Sequence, residues 1–189
     1  MQILNVKCWK NISMKRIKVV IAGSYGAGKT RFINTASEIE TVSTEVDLKD
    51  QSGPKKTTTV SMDYGRITLE DKTQLNLFGT PGQDYLDFMW DILSKGMQGF
   101  VFVVDSSDRD SLKNAGDILS SFDTSLPHVI AANKQDHPNT ITTEEIRSHL
   151  NLSESIPIVP CAAVEKESVM DVLEALTSSI DLKAVPTLI

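Results

Sequence analysis

A short apolar segment, residues 16–22, leads directly into the octapeptide GSYGAGKT at residues 23–30, and a segment with helical periodicity follows. The octapeptide fits the pattern G-x-x-x-x-G-K-[ST]. Its glycines let successive backbone N–H groups turn inward around phosphate groups, and the N-terminus of the following helix adds the positive end of its dipole. The pattern therefore predicts a strand, a phosphate-binding loop and a helix in succession.

Two side chains at the end of the octapeptide supply specific chemistry. Lys29 brings a positive charge to the β- and γ-phosphates of a nucleotide, and Thr30 offers its hydroxyl to Mg²⁺. We also predict Lys29 to be a catalytic residue. The predicted nucleotide-binding residues of this segment are Gly23, Ser24, Tyr25, Gly26, Ala27, Gly28, Lys29, Thr30 and Arg31.

The rest of the chain alternates short apolar runs with helical segments, which favours an α/β fold with a mostly parallel sheet. We predict strands at residues 16–22, 60–69, 74–78, 99–104, 128–132 and 156–159, and helices at 29–37, 85–95, 109–122, 143–150 and 168–180. The connection at 70–73 is too short for a crossover, so the second and third strands form an antiparallel hairpin. The predicted fold is a P-loop NTPase with a doubly wound, six-stranded sheet.

The length of 189 residues suits one domain, which we place at 16–181, between an N-terminal extension (1–15) and a C-terminal tail (182–189). Residues 40–56 form a polar stretch that is longer than most loops of compact domains. Loops of this length are usually functional or mobile. We therefore expect residues 40–56 to be a mobile loop beside the phosphate-binding site.

The composition argues against several classes of partner and compartment. A formal net charge of −6 disfavours a nucleic-acid partner. Cys8 and Cys161 lack metal-ligand spacing and cannot build a disulfide framework, which indicates reduced thiols in a cytoplasmic protein. No apolar run approaches the ~20 residues that cross a bilayer, so we expect no integral membrane segment. A weak interfacial anchor within residues 1–16 is the alternative to an ordinary extension.

The sequence NKQD at residues 133–136 follows the strand 128–132 and indicates which nucleotide base is bound. A carboxylate at Asp136 can accept hydrogen bonds from N1–H and the 2-amino group of guanine, whereas adenine would leave it unpaired. The aliphatic stem of Lys134 can cover one face of the base. Asn133 can tie this loop to the phosphate loop. The two motifs together predict GTP or GDP, with Mg²⁺, as the ligand.

With these motifs in place, the chain resembles the small Ras-like GTPases over residues 16–181, the predicted GTPase domain. Within that superfamily the sequence FGTPGQ at 78–83 is most similar to the prokaryotic branch that includes the gliding-motility polarity GTPases. The resemblance implies that the N–H of Gly82 meets the γ-phosphate and that Gln83 orients the attacking water, so both are predicted catalytic residues. It also implies a molecular switch that acts on protein effectors.

The resemblance breaks at Gly79, where relatives carry an aspartate that holds Mg²⁺, usually through water. We expect Asp63, on the neighbouring antiparallel strand, to supply the missing carboxylate; the alternative is that water alone completes the shell. The sequence TVSMDY at 59–64 resembles the family run Thr-x-x-x-Asp-aromatic. Thr59 is therefore expected to contact Mg²⁺, with Thr58 as the alternative, and the predicted metal-binding residues are Thr30, Thr59 and Asp63.

The sequence CAA at 161–163 resembles the family's Ser-Ala-Lys loop, although its third position departs from that pattern. The resemblance implies that the backbone N–H of Ala162 donates to guanine O6. We therefore include Cys161, Ala162 and Ala163 among the predicted nucleotide-binding residues.

The expected reaction is slow hydrolysis of GTP to GDP and phosphate. Residues 40–64 contain no arginine, so the chain lacks a built-in arginine finger there and we expect a GTPase-activating protein as a partner. Phe88 and Trp90 are expected to pack in the core or to meet a partner. Two alternatives remain open. A P-loop kinase would leave the guanine motif idle, whereas a GTP-binding interaction protein with little or no hydrolysis is compatible with Gly79.

Overall fold

A computed structural model describes residues 14–49, 57–81, 93–181 and 187–188. Within these residues the strands are β1 (Met14–Gly23), β2 (Val42–Lys49), β3 (Thr57–Thr68), β4 (Gln74–Gly79), β5 (Gly99–Asp105), β6 (His128–Asn133), β7 (Ile158–Pro160) and β8 (Thr187–Leu188). The helices are α1 (Lys29–Ala36), α2 (Arg109–Ser120), α3 (Thr143–His149) and α4 (Lys166–Ser179).

The strands form one sheet in the order β2-β3-β4-β1-β5-β6-β7. Pairing is antiparallel between β2 and β3 and between β3 and β4, and parallel across the rest of this path. The chain therefore winds outward from β1 in both directions, and the carboxyl ends of β1, β5 and β6 meet at one edge. The predicted α/β P-loop fold, with a mostly parallel sheet and an antiparallel hairpin, is confirmed.

The predicted strand count of six is wrong, because the described residues contain eight strands. β2 falls within the stretch 40–56 that we expected to be a loop, and it pairs with β3 from Val42↔Tyr64 to Lys49↔Thr57. Its apolar residues alternate sparsely with charged and hydroxyl residues, which an edge strand tolerates because only one of its edges is paired. β8 lies in the predicted C-terminal tail and pairs antiparallel with the start of β1.

The core has two layers, one on each face of the sheet. Along β1, Ile17, Val19 and Ile21 face a cluster that α1 and α4 cover, whereas Val20 and Ala22 face a cluster that α2 and α3 cover. A parallel strand that is buried on both faces carries a continuous apolar run instead of an alternating one. That burial explains why β1, β5 and β6 were evident in the sequence.

The helices begin and end close to the predicted positions. α3 starts with a capping box, in which the Thr142 hydroxyl accepts from the Glu145 N–H and the Glu145 side chain accepts from the Thr142 N–H. The predicted helix at 85–95 lies, apart from its last three residues, outside the described residues. Within the described part of the chain, no helix combines the length and the apolar character needed to cross a membrane.

A close contact between β3 and α1 sets the position of β3 beside the phosphate loop. A Cβ at Gly65 would lie 2.7 Å from Ile33 Cγ2 and 3.1 Å from Ser37 Cβ, so the strand crosses α1 at a distance that only glycine allows. Side chains two residues apart share one face of a strand. Asp63 therefore points to the same side of the sheet as Gly65, towards the N-terminus of α1.

Candidate functional site

The phosphate loop runs between β1 and α1, and its glycines are required by close approaches. A Cβ at Gly23 (φ 137°) would lie 2.1 Å from Val103 O, and one at Gly28 (φ 101°) would lie 2.3 Å from Asn133 Nδ2. Gly28 is also the N-cap of α1 and provides no side-chain cap. The N–H groups of the first helical turn are therefore available to an anion.

Lys29 lies folded over this loop and is 7% exposed. Its Nζ donates to the carbonyl of Gly23 at 2.8 Å and to that of Ser24 at 2.7 Å. Burial lowers the pKa of Lys29 to about 8, and the nearby charge of Asp63 opposes that shift. The ammonium group is thus held in the loop by neutral carbonyl groups.

A cavity of about 580 Å³ opens above the loop, within the usual size range for small-molecule sites. Its lining includes the predicted residues Tyr25, Thr30, Arg31 and Asp63, together with Thr80. Tyr25 is 75% exposed at the rim. Thr80 was absent from the predicted site; its Oγ1 is buried and makes no hydrogen bond among the described residues.

Asp63 reaches the mouth of the loop from β3. Its Oδ2 accepts a hydrogen bond from Thr30 Oγ1 at 2.5 Å. A Cβ on Gly79 would lie 3.2 Å from Asp63 Cβ and 3.5 Å from Asp63 Oδ2. The Asp63 side chain thus lies directly beside Gly79, and a larger residue at position 79 would come into close contact with it.

The oxygen atoms of Thr30 and Asp63 are suitable ligands for Mg²⁺. A hydroxyl and a carboxylate are hard oxygen ligands, and Mg²⁺ is usually held by one or two such groups together with phosphates and water. Within the described residues no group of three or more His, Cys, Asp or Glu side chains could hold a metal ion.

One side chain, Asn133, joins three loops at the carboxyl edge of the sheet. It is 2% exposed. Its Nδ2 donates to Ala27 O at 2.8 Å, and its Oδ1 accepts from Ala163 N at 2.8 Å. The Gln135 N–H also donates to Cys161 O at 3.0 Å. The sequences GSYGAGKT, NKQD and CAA, predicted to act together, are therefore bonded to one another.

The side chain of Lys134 is held by a carboxylate that we did not predict. Lys134 has a left-handed backbone (φ 66°), and its Nζ pairs with Asp105 Oδ2. Burial acts to raise the pKa of Asp105, but hydrogen bonds from Lys134 and Ser107 outweigh it and the pKa is lowered. A charged residue at the carboxyl end of a buried strand was the available signal for Asp105.

The loop 161–163 uses its backbone N–H groups internally. Cys161 N donates to Ala132 O at 2.8 Å, and Ala162 N donates to Ser168 Oγ at 2.9 Å. Ser168, in the first turn of α4, was not predicted, and a serine there carries no sequence signal. Burial raises the pKa of the Cys161 thiol to about 11, so this cysteine is an unreactive packing residue.

Asp136 is exposed beside this loop, and its charge acts on the Cys161 thiol. Gly82 and Gln83 lie outside the described residues. Thr59 is on β3 opposite Asp47, and its side chain is likewise outside the described part. The predicted contacts of Gly82, Gln83 and Thr59 with the nucleotide and the metal therefore stay predictions.

The sequence model of the ADP-ribosylation factor family matches residues 4–180. The chain belongs to this family. ADP-ribosylation factor-like protein 3 of Saccharomyces cerevisiae is 29% identical over 85% of this chain and 83% of its own. The mutual gliding-motility protein MglA of Myxococcus xanthus is 30% identical over 90% of this chain and 94% of its own.

The family gives the loops a common interpretation. Its members are small GTPases, which bind GTP and GDP and generally Mg²⁺. The resemblance to small Ras-like GTPases, including a gliding-motility protein, is confirmed. In this family member the phosphate loop, the NKQD loop and the CAA loop meet at the carboxyl edge of the sheet, where doubly wound folds bind their ligands.

The lowered pKa of Lys29 predicts proton uptake on nucleotide binding. Phosphates beside the ammonium raise its pKa from about 8 towards its ordinary value. Near pH 9, where Lys29 is mostly neutral in the empty site, binding of GDP should take up a proton, and affinity should fall as the pH rises above about 8. Calorimetry in buffers of different ionisation enthalpy measures this uptake.

A Lys29→Arg variant is the control, because arginine stays charged throughout this range. Its GDP binding should show no such proton uptake. Equal uptake by both proteins would assign the proton to another group.

Proposed function

We propose that this chain is a molecular switch that binds GTP and GDP with Mg²⁺ and hydrolyses GTP to GDP and phosphate. One observation supports this most directly. The Asn133 amide bonds both to Ala27 in the phosphate loop and to Ala163 in the loop that we assign to the base. A ligand with phosphates at one end and a purine at the other fits loops that are tied together in this way.

Base recognition is assigned to the loops NKQD and CAA. The Asp136 carboxylate accepts from guanine N1–H and the 2-amino group, and the Ala162 N–H donates to O6. The Lys134 stem covers one face of the base while its ammonium pairs with Asp105. Guanine is favoured over adenine because adenine would leave the Asp136 acceptors without donors.

Hydrolysis is assigned to water that attacks the γ-phosphate in line with the leaving oxygen of GDP. Gln83 orients that water, the Gly82 N–H contacts the γ-phosphate, and Lys29 offsets the charge of the phosphate oxygens. A second protein supplies the arginine that residues 40–64 lack. The output of the switch is the choice of protein effector, and its compartment is the cytoplasm.

Binding of Mg²⁺ is assigned to Thr30, Thr59 and Asp63. Bound Mg²⁺ would supply positive charge that offsets the negative charge of the phosphate oxygens. Asp63 accepts from the Thr30 hydroxyl at 2.5 Å, and that contact supports a carboxylate from β3 in place of one at Gly79. The buried hydroxyl of Thr80, which makes no hydrogen bond within the described part of the chain, adds a further oxygen on this side of the cavity.

Base selectivity tests the proposal as a whole. GTP should bind about 10⁴-fold more tightly than ATP in calorimetric titrations with Mg²⁺ present. The Asp136→Ala variant loses two charge-assisted hydrogen bonds to guanine, so this preference should fall by about 10²-fold or more. Equal binding of GTP and ATP by the unaltered protein, or binding of neither, would reject the proposed function.

Single-turnover hydrolysis separates the switch from a second candidate, a GTP-binding interaction protein with little or no turnover, which glycine at position 79 makes credible. The unaltered protein should hydrolyse GTP at about 10⁻⁴–10⁻³ s⁻¹ without a partner. The Gln83→Leu variant should be slower by about tenfold or more, because the water loses its orientation. Its GDP affinity, the internal control, should be unchanged. Equal rates in the two proteins would favour the second candidate.

The Mg²⁺ dependence of GTP binding tests the role of Asp63. The Asp63→Ala variant should need about 10- to 100-fold more Mg²⁺ for half-maximal GTP affinity, as expected when a group that supports a metal is removed. The matched control is Asp117→Ala, which removes an exposed carboxylate from α2. An unchanged Mg²⁺ requirement in Asp63→Ala would mean that water alone completes the metal shell.

A further inference from the structure

We propose that Ser168 competes with guanine O6 for the backbone N–H of Ala162 and so sets the affinity for guanine nucleotides. This inference rests on the proposed function, in which that N–H recognises O6. In the structure the Ala162 N–H donates to Ser168 Oγ at 2.9 Å. The donor that the base requires is therefore already engaged within the protein.

The other two N–H groups of this loop are poorly placed to substitute for it. Cys161 N continues the pairing of the sheet through Ala132 O at 2.8 Å. Ala163 N donates to Asn133 Oδ1, and that amide also holds the phosphate loop. Releasing either bond would disturb the framework that brings the loops together. The Ala162 bond is the one whose loss leaves this framework intact.

Ser168 can give up its hydrogen bond at low cost. The side chain is half-buried in the first turn of α4, and rotation about one χ angle carries its hydroxyl away from the loop. The rotamer of Ser168 thus determines whether the Ala162 N–H is engaged within the protein or free to donate to a ligand.

Competition of this kind lowers the observed affinity by the fraction of molecules in which the donor is free. If the bond between Ser168 and the Ala162 N–H has the net strength of a typical neutral hydrogen bond, the N–H is free in about half to one tenth of the molecules. Binding is then weakened about two- to tenfold. Replacing Ser168 with alanine should therefore strengthen the binding of guanine nucleotides. A serine that merely supports the loop would have the opposite effect.

The experiment compares GDP with the 5′-diphosphate of 2-aminopurine riboside, which keeps the 2-amino group and has no O6. In Ser168→Ala the dissociation constant for GDP should fall about two- to tenfold. The constant for the 2-aminopurine nucleotide should not change, because the freed N–H has no acceptor. Fluorescence titration gives the constant for the 2-aminopurine nucleotide directly, and displacement of that nucleotide by GDP gives the constant for GDP.

Two control variants test whether the change in GDP affinity comes from a general effect on folding. Ser168→Thr retains the hydroxyl and should bind GDP like the unaltered protein. Ser178→Ala makes the same chemical change at the other end of α4, where the hydroxyl donates to Glu174 O, and should also leave GDP affinity unchanged. Thermal unfolding of each variant verifies that the fold is retained.

The outcomes separate this inference from the proposed function. Tighter binding of GDP alone by Ser168→Ala supports the competition. Unchanged or weaker GDP binding, or equal tightening for both nucleotides, overturns it while leaving the proposed function standing. Failure of the unaltered protein to bind GDP at all would overturn both.

Discussion

The site depends on the side-chain amide of Asn133. A primary amide has a donor and an acceptor end, and here the donor end holds Ala27 O while the acceptor end holds Ala163 N. Because Asn133 is 2% exposed, water does not replace either bond. Aspartate at this position would lose the donor, and leucine would lose both, leaving buried backbone groups unpaired. The phosphate end and the base end of the cleft therefore keep a fixed distance.

Two lysines lie along this cleft, and each is held by oxygen atoms of the protein. At one end Lys29 lies on two backbone carbonyls and feels the charge of Asp63. At the other end Lys134 pairs with Asp105. Buried ions are costly unless they are paired or hydrogen-bonded. Each lysine is thus held in position before any ligand arrives, which reduces the ordering cost of binding.

The sequence was sufficient for those parts of the fold that depend on local pattern. Buried parallel strands contain continuous apolar runs, such as residues 19–22 of β1 and 100–104 of β5, and the phosphate loop needs glycine at fixed spacings, so both were predicted. β2 was missed because its stability comes from pairing with β3, while its own residues are largely polar. The roles of Asp105 and Ser168 were missed because they arise from contacts with Lys134 and Ala162, although the position of Asp105 at the carboxyl end of a strand was a usable signal. Such contacts leave no periodic signal.

In the proposed function, the carboxylate that supports the ion comes from β3 instead of β4, so the ion is coupled to the hairpin. A carboxylate on β4 would be fixed by parallel pairing with the central strand β1, but Asp63 belongs to β3, whose other neighbour is β2, the outermost strand among the described residues. Sliding β3 along α1 by one residue would turn Asp63 to the opposite face and drive a side chain into the space at Gly65. Ion occupancy and strand register would then be thermodynamically linked, so that each stabilises the other by the same free energy.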